Sequence, residues 1–323
     1  MEIIRYELER SKRPGWDNAY PVITIGNFDG VHVGHQEIFN RVKRKAREDG
    51  GKAVVFTFEP HPLKLLRPEK CPLLITPYEK RVRLIEHFKM DAIVVARFTR
   101  RFAALSPDSF FLDILKDTFN VHAICIGYDF SFGRDRVGSV ERLKSLGKSY
   151  SVEVEIVGPV RLNGTPVSST RIRQLVAEGK MKEAREFLGR YFFLSGEVIK
   201  GHERGQRFGF PTANIETGHE LFPLPGVYAT FLFYQGRRYR AVTNIGVNPT
   251  FNNGAMSIET YVLDFSAPLY GEEVSVSFVQ RIRDEICFPS IGALAKQIES
   301  DVKIAKKILI EEEKVNPQNT PEG

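Results

Sequence analysis

The first half of the chain alternates between short, uninterrupted apolar runs and longer segments in which apolar residues recur every three or four positions. Such runs predict buried strands, and they cover residues 20–25, 52–58, 92–98, 121–126 and 152–157. The longer segments predict amphipathic helices, the first of which has a face made of Ile38, Phe39, Val42 and Ala46. Strands that alternate with helices predict an α/β domain with a Rossmann-like parallel sheet.

The pattern changes after residue 192, where apolar runs follow one another with only turn residues between most of them. These runs cover residues 193–199, 228–234, 239–245, 257–264 and 274–280. Closely spaced strands of this kind predict a small antiparallel β-barrel. A long amphipathic C-terminal helix follows, with an apolar face made of Leu294, Ile298, Val302, Ala305 and Leu309.

This change of pattern predicts two domains and a tail. We expect the first domain over residues 1–185, the second over residues 186–310 and a flexible polar tail over residues 311–323. A charged helix over residues 179–189 joins the two domains. With 323 residues, the chain is long enough to bury a substantial core in each domain.

Composition and charge narrow the class of protein without deciding its function. No apolar run approaches the ~18 residues of a membrane-spanning helix, and the first residues lack the apolar core of a signal peptide. Cys71, Cys125 and Cys287 are too widely spaced to indicate a zinc site or a disulfide framework. We therefore expect a cytoplasmic protein with no membrane partner. The net charge of +6 suits nucleic acid, but it also suits ATP and other phosphorylated ligands.

A glycine-rich turn with two histidines, residues 26–35, connects the first long strand to the first helix. Backbone N–H groups and the positive end of a helix hold anions at such a turn. His32 and His35 form an H-x-G-H pattern with Gly34, and imidazoles there can donate to phosphate oxygens. An isolated H-x-G-H can be an incidental surface turn, but the complete strand–turn–helix context favours a phosphate site.

Two further segments stand at the carboxyl ends of predicted strands, where ligands of open parallel sheets bind. Prolines fix the chain on both sides of His61. The loop over residues 127–133 offers Asp129 beside Phe130 and Phe132, on which a planar ring could stack. Packing of the aromatic side chains under the loop explains any single one of them equally well.

Hydroxyl and guanidinium groups are concentrated over residues 167–173. Ser168 and Ser169 stand at a predicted helix start, where hydroxyl groups normally cap the helix. Capping does not explain Arg171 and Arg173 one turn later, whereas hydroxyls, free N–H groups and a guanidinium together suit a polyphosphate. The sequence contains no G-x-x-x-x-G-K-[ST], which excludes P-loop phosphate chemistry.

A glycine-rich segment precedes Pro211-Thr212-Ala213-Asn214 in the second half. Its glycines recur every four residues, a spacing that lets a flap fold its backbone over phosphates. Thr212 and Asn214, two residues apart on a strand, point the same way, as oxygen ligands of one Mg²⁺ must. A glycine-rich hairpin would explain the glycines alone, but not the residues that follow them.

The first-half motifs, together with residues 56–62, resemble in order and spacing the FAD synthetase module of bacterial bifunctional riboflavin kinase/FMN adenylyltransferases. In the wider H-x-G-H nucleotidylyltransferase family, the paired histidines and the Ser-Ser-Thr-x-x-Arg stretch hold ATP phosphates. The resemblance implies that ATP is bound by Gly26, Phe28, His32, His35, Ser168, Ser169 and Arg173. It implies that flavin is bound by Phe58, Asp129, Phe130 and Phe132.

The second half resembles the riboflavin kinase module of the same family. The resemblance implies a second ATP site made of Gly201, Gly205, Gly209, Pro211, Thr212 and Asn214, the last two also holding Mg²⁺. A lone glutamate such as Glu259 is usually an outward-facing strand residue, but the resemblance makes it the catalytic base. Arg283 matches the flavin-side arginine, although Asp284 stands where family loops often have proline.

The resemblance implies two activities. One is ATP-dependent phosphorylation of riboflavin to FMN, and the other is adenylylation of FMN by ATP to FAD with release of pyrophosphate. It implies small-molecule partners, namely ATP, riboflavin and FMN, with Mg²⁺ as the metal and no nucleic acid. The alternative keeps the adenylyltransferase but makes the barrel a non-catalytic module that binds nucleic acid or flavin. The sequence leaves open whether the chain forms a homo-oligomer.

Overall fold

In the computed structural model, the apolar runs of the first half form one six-stranded sheet in which every neighbouring pair is parallel. The strands are β1 (Glu2–Tyr6), β2 (Pro21–Ile25), β3 (Lys52–Glu59), β4 (Ala92–Arg97), β5 (Ala123–Gly127) and β6 (Glu153–Val157), in the order β1-β4-β3-β2-β5-β6. Every residue of β2 is buried, as expected for a central strand covered on both faces. The predicted Rossmann-like sheet is confirmed, and β1 adds an edge strand that the apolar pattern did not predict.

Helices connect the strands of this sheet. They are α1 (Val33–Glu48), α2 (Pro62–Leu66), α3 (Tyr78–His87), α4 (Arg100–Ala103), α5 (Pro107–Ser109), which continues as a π-helix over Phe110–Lys116, and α6 (Val140–Ser149). A short 3₁₀ helix (Pro68–Lys70) follows α2, and a hairpin of β7 (Arg161–Leu162) and β8 (Thr165–Pro166) follows β6. Helix α1 buries the four residues that its spacing predicts, which presses this helix against the sheet.

The second half forms the closed antiparallel barrel that the closely spaced runs predict. Its strands are β9 (Phe192–Ile199), β10 (Thr212–Glu216), β11 (Gly226–Tyr234), β12 (Arg237–Val247), β13 (Met256–Val262) and β14 (Glu273–Arg283), in the order β10-β13-β12-β11-β14-β9. Burial alternates along β13, where Ile258, Thr260 and Val262 are buried and the residues between them are not. This alternation leaves one face of the strand available to a ligand.

Three further helices belong to the second half: α7 (Ser169–Ala177), α8 (Met181–Leu188) and α9 (Ile291–Val315). Helix α9 packs against the barrel through Ala305 and Leu309, both fully buried, in agreement with its predicted apolar face. The helix continues through residues 311–315, which the apolar pattern assigned to a tail. Glu312 and Glu313 lie in this last turn and pair with arginines, which explains why it is ordered.

The structure describes residues 1–8, 14–16, 19–134, 137–200, 210–247 and 256–316. They divide into two units: Met1–Pro72 with Tyr78–Val167, and Leu73–Pro77 with the chain from Ser168 onward. The segment Leu73–Pro77 thus belongs to the second unit although the chain on both sides of it belongs to the first. Across these described ranges, no helix has both the length and the apolar character needed to span a membrane.

Candidate active sites

The histidine turn between β2 and α1 has a tightly folded backbone. His32 is the N-cap of α1, and its Nδ1 accepts a hydrogen bond from the backbone N–H of His35 at 3.3 Å. Phe28, Gly30 and Val31 all have positive φ angles, of 50°, 84° and 41°. Only glycine adopts such angles without steric cost, so Phe28 and Val31 are held there by their surroundings. The turn therefore holds the N-terminus of α1 in a single conformation.

The two histidine rings of this turn lie against each other. Their centroids are 3.5 Å apart and their planes differ by 18°. Phe28 meets the ring of His35 edge-on at 5.3 Å, and it is almost fully buried. A Cβ at Gly26 would lie 3.0 Å from the Phe28 ring, which explains the glycine. Gly26 and Phe28 thus support the histidines, and their contact with ATP remains a prediction.

The tautomer of His32 follows from its cap. Because Nδ1 accepts an N–H, a neutral ring carries its proton on Nε2. A proton on Nε2 can be donated to a phosphate oxygen at the positive end of α1. The geometry therefore agrees with the predicted use of this turn for anions.

His61 is a buried residue to which sequence reasoning gave no role. Its Nδ1 accepts the N–H of Leu63 at 3.2 Å, and its Nε2 lies 3.1 Å from Nδ2 of Asn27. This contact ties the chain after β3 to the chain after β2. Only the pairing of β2 with β3 brings the two residues together, since they are 34 positions apart.

Arg81 on α3 is a second residue that sequence reasoning missed. Its guanidinium is fully buried, and Nη2 donates to the carbonyl oxygen of Phe58 at 3.2 Å and to Oε2 of Glu59 at 3.1 Å. Burial raises the pKa of the Glu59 carboxyl, and the charge of Arg81 opposes that rise. Arg81 therefore holds the carboxyl end of β3, where the predicted flavin residue Phe58 lies.

The aromatic loop over residues 127–133 contributes two of the predicted flavin residues to one concave site. Asp129 and Phe130 line a cavity of about 480 Å³, together with residues of α6 and β6. Phe132 stacks on Phe130 at 5.6 Å but is buried in the core. Packing under the loop therefore accounts for Phe132, whereas Asp129 and Phe130 can meet a ligand.

Ser168 and the residues after it behave as a helix start. The Oγ of Ser168 accepts the N–H of Arg171 at 3.2 Å and caps α7. Nη2 of Arg171 lies 4.0 Å from Oε2 of Glu183 in α8. Nε of Arg173 donates to the carbonyl oxygen of Leu73 at 2.7 Å. The hydroxyl and guanidinium groups that resemble a phosphate site thus belong to the second unit, and the two histidines belong to the first.

The predicted kinase residues converge on one face of the barrel wall. Thr212 and Asn214 lie on the partly exposed face of β10, while Ala213 and Ile215 between and beside them are buried. Glu259 of β13 is paired directly with Asn214, and on its other side with Asn244 of β12. Directly paired residues lie on the same face of a sheet, so Glu259 and the two asparagines are neighbours.

The remaining predicted residues of this site divide into two groups. Pro211 is exposed and stands immediately before β10. Gly201, Gly205 and Gly209 lie outside the described residues.

The oxygen-bearing side chains of this face suit a magnesium ion. Thr212 and Asn214 offer a hydroxyl and an amide oxygen on the partly exposed face of one strand. These are hard ligands, and Mg²⁺ in nucleotide sites takes few of them from the protein and the rest from phosphates and water. In the described part of the chain, no group of three or more His, Cys, Asp or Glu side chains could hold a metal. The hydroxyl of Thr212 and the amide oxygen of Asn214 are of the kind that a Mg²⁺ ion shared with ATP phosphates would take.

Arg283, predicted on the flavin side, already has a strong partner. Its guanidinium makes a bidentate pair with Asp301 of α9, in which Nε donates to Oδ1 at 3.0 Å and Nη2 donates to Oδ2 at 2.7 Å, and Asp301 is almost fully buried. Sequence reasoning missed Asp301, because a single aspartate in an amphipathic helix carries no signal. The pair fixes the end of β14 to α9, and a flavin contact of Arg283 remains a prediction.

Two family models match this chain, one for each half. A model described as FAD synthetase matches residues 16–171, and a model described as riboflavin kinase matches residues 188–309. Together they cover the histidine turn, the aromatic loop, the barrel and most of α9.

Curated proteins and solved structures extend the comparison over almost the whole chain. The bifunctional riboflavin kinase/FMN adenylyltransferase of Buchnera aphidicola subsp. Acyrthosiphon pisum is 36% identical over 293 residues, which cover 90% of this chain and 94% of that protein. The protein of the same description from Haemophilus influenzae is 36% identical over 285 residues, covering 88% and 92%.

Among the solved structures that match, one has a TM-score of 0.85 and 33% identity and covers 95% of this chain and 99% of that one. That structure is described as a macrolide-efflux protein from Streptococcus pneumoniae. Its description differs from those of both family models and of the curated relatives, which agree with one another.

Proposed function

The chain belongs to the family of bifunctional riboflavin kinase/FMN adenylyltransferases, and we propose which of its residues carry out the two reactions. It is an enzyme that phosphorylates riboflavin to FMN with ATP and adenylylates FMN to FAD with release of pyrophosphate. The observation that carries this assignment is that its two halves match the two activities separately. A barrel that only binds nucleic acid or flavin finds no support in these matches.

Glu259 is the proposed base of the kinase. Transfer of the γ-phosphoryl group of ATP forms a bond to the ribityl 5′-oxygen and breaks the bond between the γ-phosphorus and the ADP oxygen. The hydroxyl must lose its proton as the new bond forms, and a carboxylate can accept it. The direct pairing of Glu259 with Asn214 supports this role, because it places the carboxylate beside the proposed ATP residues.

Thr212 and Asn214 are the proposed magnesium ligands of the kinase. Bound with ATP, Mg²⁺ would neutralise charge on the phosphates. The partly exposed face that Thr212 and Asn214 share on β10 supports this proposal. Gly201, Gly205, Gly209 and Pro211 would cover the ATP, and Arg283 would orient the flavin.

The adenylyltransferase needs charge stabilisation rather than a base. The phosphate of FMN is already an anion when it attacks the α-phosphorus of ATP, and the leaving group is pyrophosphate. We assign the neutralisation of that charge to His32, His35, Ser168, Ser169 and Arg173. Two helix starts, with His32 capping α1 and Ser168 capping α7, support this assignment.

The flavin of the second reaction is assigned to Phe58, Asp129, Phe130 and Phe132, with Gly26 and Phe28 beside the nucleotide. The cavity lined by Asp129 and Phe130 supports the flavin side of this assignment. The cytoplasmic location, the lack of a nucleic acid partner and the domain boundaries after residues 185 and 310 remain predictions.

A single incubation tests both activities. Purified chain, riboflavin, ATP and Mg²⁺ should give FMN first and FAD afterwards, separated by chromatography, and added FMN should give FAD and pyrophosphate directly. Chelation of the metal should stop the formation of FMN, and renewed Mg²⁺ should restore it. FAD formed from FMN without any FMN from riboflavin would favour the non-catalytic barrel instead.

A further inference from the structure

One peptide group of the second unit lies between a carboxylate and a guanidinium. The N–H of Leu74 donates to Oε2 of Glu220 at 2.9 Å, and the carbonyl of Leu73 accepts from Nε of Arg173 at 2.7 Å. These two groups belong to the same peptide bond, and in a planar trans peptide C=O and N–H point in opposite directions. Glu220 and Arg173 therefore hold opposite edges of one rigid plane.

Glu220 is itself held by the barrel. The residue before it, His219, is buried, and its Nε2 accepts the N–H of Ser195 of β9 at 3.2 Å. The residue after it, Leu221, is also buried. Because both of its neighbours are buried, the backbone of Glu220 is held in place. The side chain therefore fixes the position of the peptide group.

The hydrogen bond from Nε of Arg173 to the carbonyl oxygen of Leu73 sets the orientation of the Arg173 side chain. A bond at Nε sets the plane of the guanidinium and so the direction of its two terminal nitrogens. The acceptor is a neutral carbonyl, so this bond does not neutralise the positive charge of Arg173. A carboxylate that accepts the N–H of a peptide also polarises its carbonyl, which strengthens the bond to Arg173.

We propose that Glu220 is a positioning residue for FMN adenylylation, which orients Arg173 through the peptide bond between Leu73 and Leu74. This inference rests on the proposed assignment of Arg173 to the phosphates of ATP. Glu220 lies inside the region that matches riboflavin kinase, residues 188–309. The kinase part of the chain thus supplies a residue on which the other reaction depends.

The experiment uses the full chain and measures both reactions in each preparation. Glu220→Ala removes the acceptor of the Leu74 N–H, whereas Glu220→Gln keeps an oxygen in the same place. Glu273→Ala is the matched control, because Glu273 is an exposed glutamate at the start of β14. If Glu220→Ala folds poorly, Glu220→Asp can be used instead. Its side chain is shorter by one methylene group, which moves the carboxylate away from the N–H of Leu74.

Only adenylylation should respond. Glu220→Ala should lower kcat/KM for ATP in FMN adenylylation about tenfold, the usual effect of losing one charge-assisted hydrogen bond. Phosphorylation of riboflavin by the same preparation should be unchanged, and Glu220→Gln should recover most of the adenylylation. Adenylylation at the wild-type rate in Glu220→Ala, or an equal loss of both activities, would overturn the proposal.

Arg173 separates this inference from the assignment on which it rests. Arg173→Lys replaces the planar guanidinium by an ammonium group. The double variant Arg173→Lys with Glu220→Ala should adenylylate FMN no more slowly than Arg173→Lys alone. Both changes act on the same feature, the oriented guanidinium of Arg173, so their effects should not add. Losses that multiply would show that Glu220 acts without Arg173 and would overturn the inference. If Arg173→Ala adenylylates FMN at the wild-type rate, the assignment of Arg173 itself is wrong.

Discussion

At the scale of single residues, the two stacked histidines carry the clearest prediction for adenylylation. Replacing His32 or His35 by alanine removes a hydrogen-bond donor to the ATP phosphates. If such a bond contributes ~1.5–3 kcal/mol in the transition state, FAD formation from FMN should fall roughly ten- to hundredfold. Riboflavin phosphorylation, measured in the same sample, should be nearly unchanged.

The matched control for this pair is His87→Ala, since His87 is an exposed histidine at the end of α3. It should behave as wild type in both reactions. Wild-type adenylylation by either His32→Ala or His35→Ala would exclude that histidine from the ATP site.

Glu259 carries the corresponding residue-scale prediction for the kinase. Glu259→Gln keeps the shape of the side chain and removes the base, so FMN formation should fall by ~10²–10⁴-fold. FAD formation from added FMN should continue, and Glu197→Gln, an exposed change on β9, should leave both rates alone. Kinase turnover within about threefold of wild type in Glu259→Gln would rule out the base.

The neighbouring carboxylate Asp264 would then be the next residue to test. It lies beyond the end of β13 with a φ of 55°, and Nζ of Lys306 is 3.5 Å away. This arrangement is that of a turn residue, which is why Glu259 is preferred.

At the scale of elements, one carboxylate joins the end of α9 to α8 and to the residue just before β9. Glu312 accepts hydrogen bonds from Arg185, from the hydroxyl of Tyr191 at 2.7 Å and from Asn316 at 2.8 Å. Burial alone would raise the pKa of Glu312, but the hydrogen bonds and the charge of Arg185 outweigh it, and the pKa is lowered. A carboxyl whose pKa is lower in the folded state stabilises the fold above its unfolded pKa and loses that effect as the pH falls.

Glu312→Gln should therefore lower the free energy of unfolding of the second unit by about 1–2 kcal/mol at pH 7. The difference from wild type should shrink as the pH falls below about 4.3, the ordinary pKa of glutamate, because the unfolded chain then takes up the proton while folded Glu312, whose pKa is lowered, still resists it. Pulse proteolysis in urea measures the unfolding of the second unit. The fluorescence of Trp16, the single tryptophan, follows the unfolding of the first unit. Glu311→Gln, an exposed change one residue away, is the control. A pH-independent difference would contradict the assigned cause.

At the scale of the whole molecule, the second unit should work as an independent riboflavin kinase. Its contacts extend beyond residues 186–310, because Glu312 pairs with Arg185, and the N–H of Leu224 donates to the carbonyl of Val176 at 3.3 Å. A fragment of residues 168–316 should therefore make FMN and melt at a higher temperature than one of residues 186–310.

Circular dichroism and FMN formation compare the two fragments. Equal melting temperatures would show that the additional ends contribute nothing to stability. A folded fragment of residues 168–316 that binds Mg-ATP and riboflavin without making FMN would contradict an independent kinase.

Most of the strands and helices of both halves, though not β1, could be predicted from the sequence alone, and so could most of the candidate residues. Strands and helices follow from the spacing of apolar residues, which depends only on local geometry, and so α1 buries the face that its spacing predicts. The pairing of Glu259 with Asn214 agrees with their predicted presence in one site, because both stand on strands with regular alternation. Family motifs supplied the chemistry, since they are short and contiguous.

Which polar groups far apart in the sequence lie together is visible only in the folded chain. Arg81 under β3, the pair of Arg283 with Asp301, and the peptide bond held between Glu220 and Arg173 each join residues that no motif links. Such contacts depend on how closely packed elements bring side chains together, and a charged residue leaves the same mark in the sequence whether it faces water or a buried partner. Apolar periodicity shows which face of a helix or strand is buried, but it does not show which polar group of another element packs against that face.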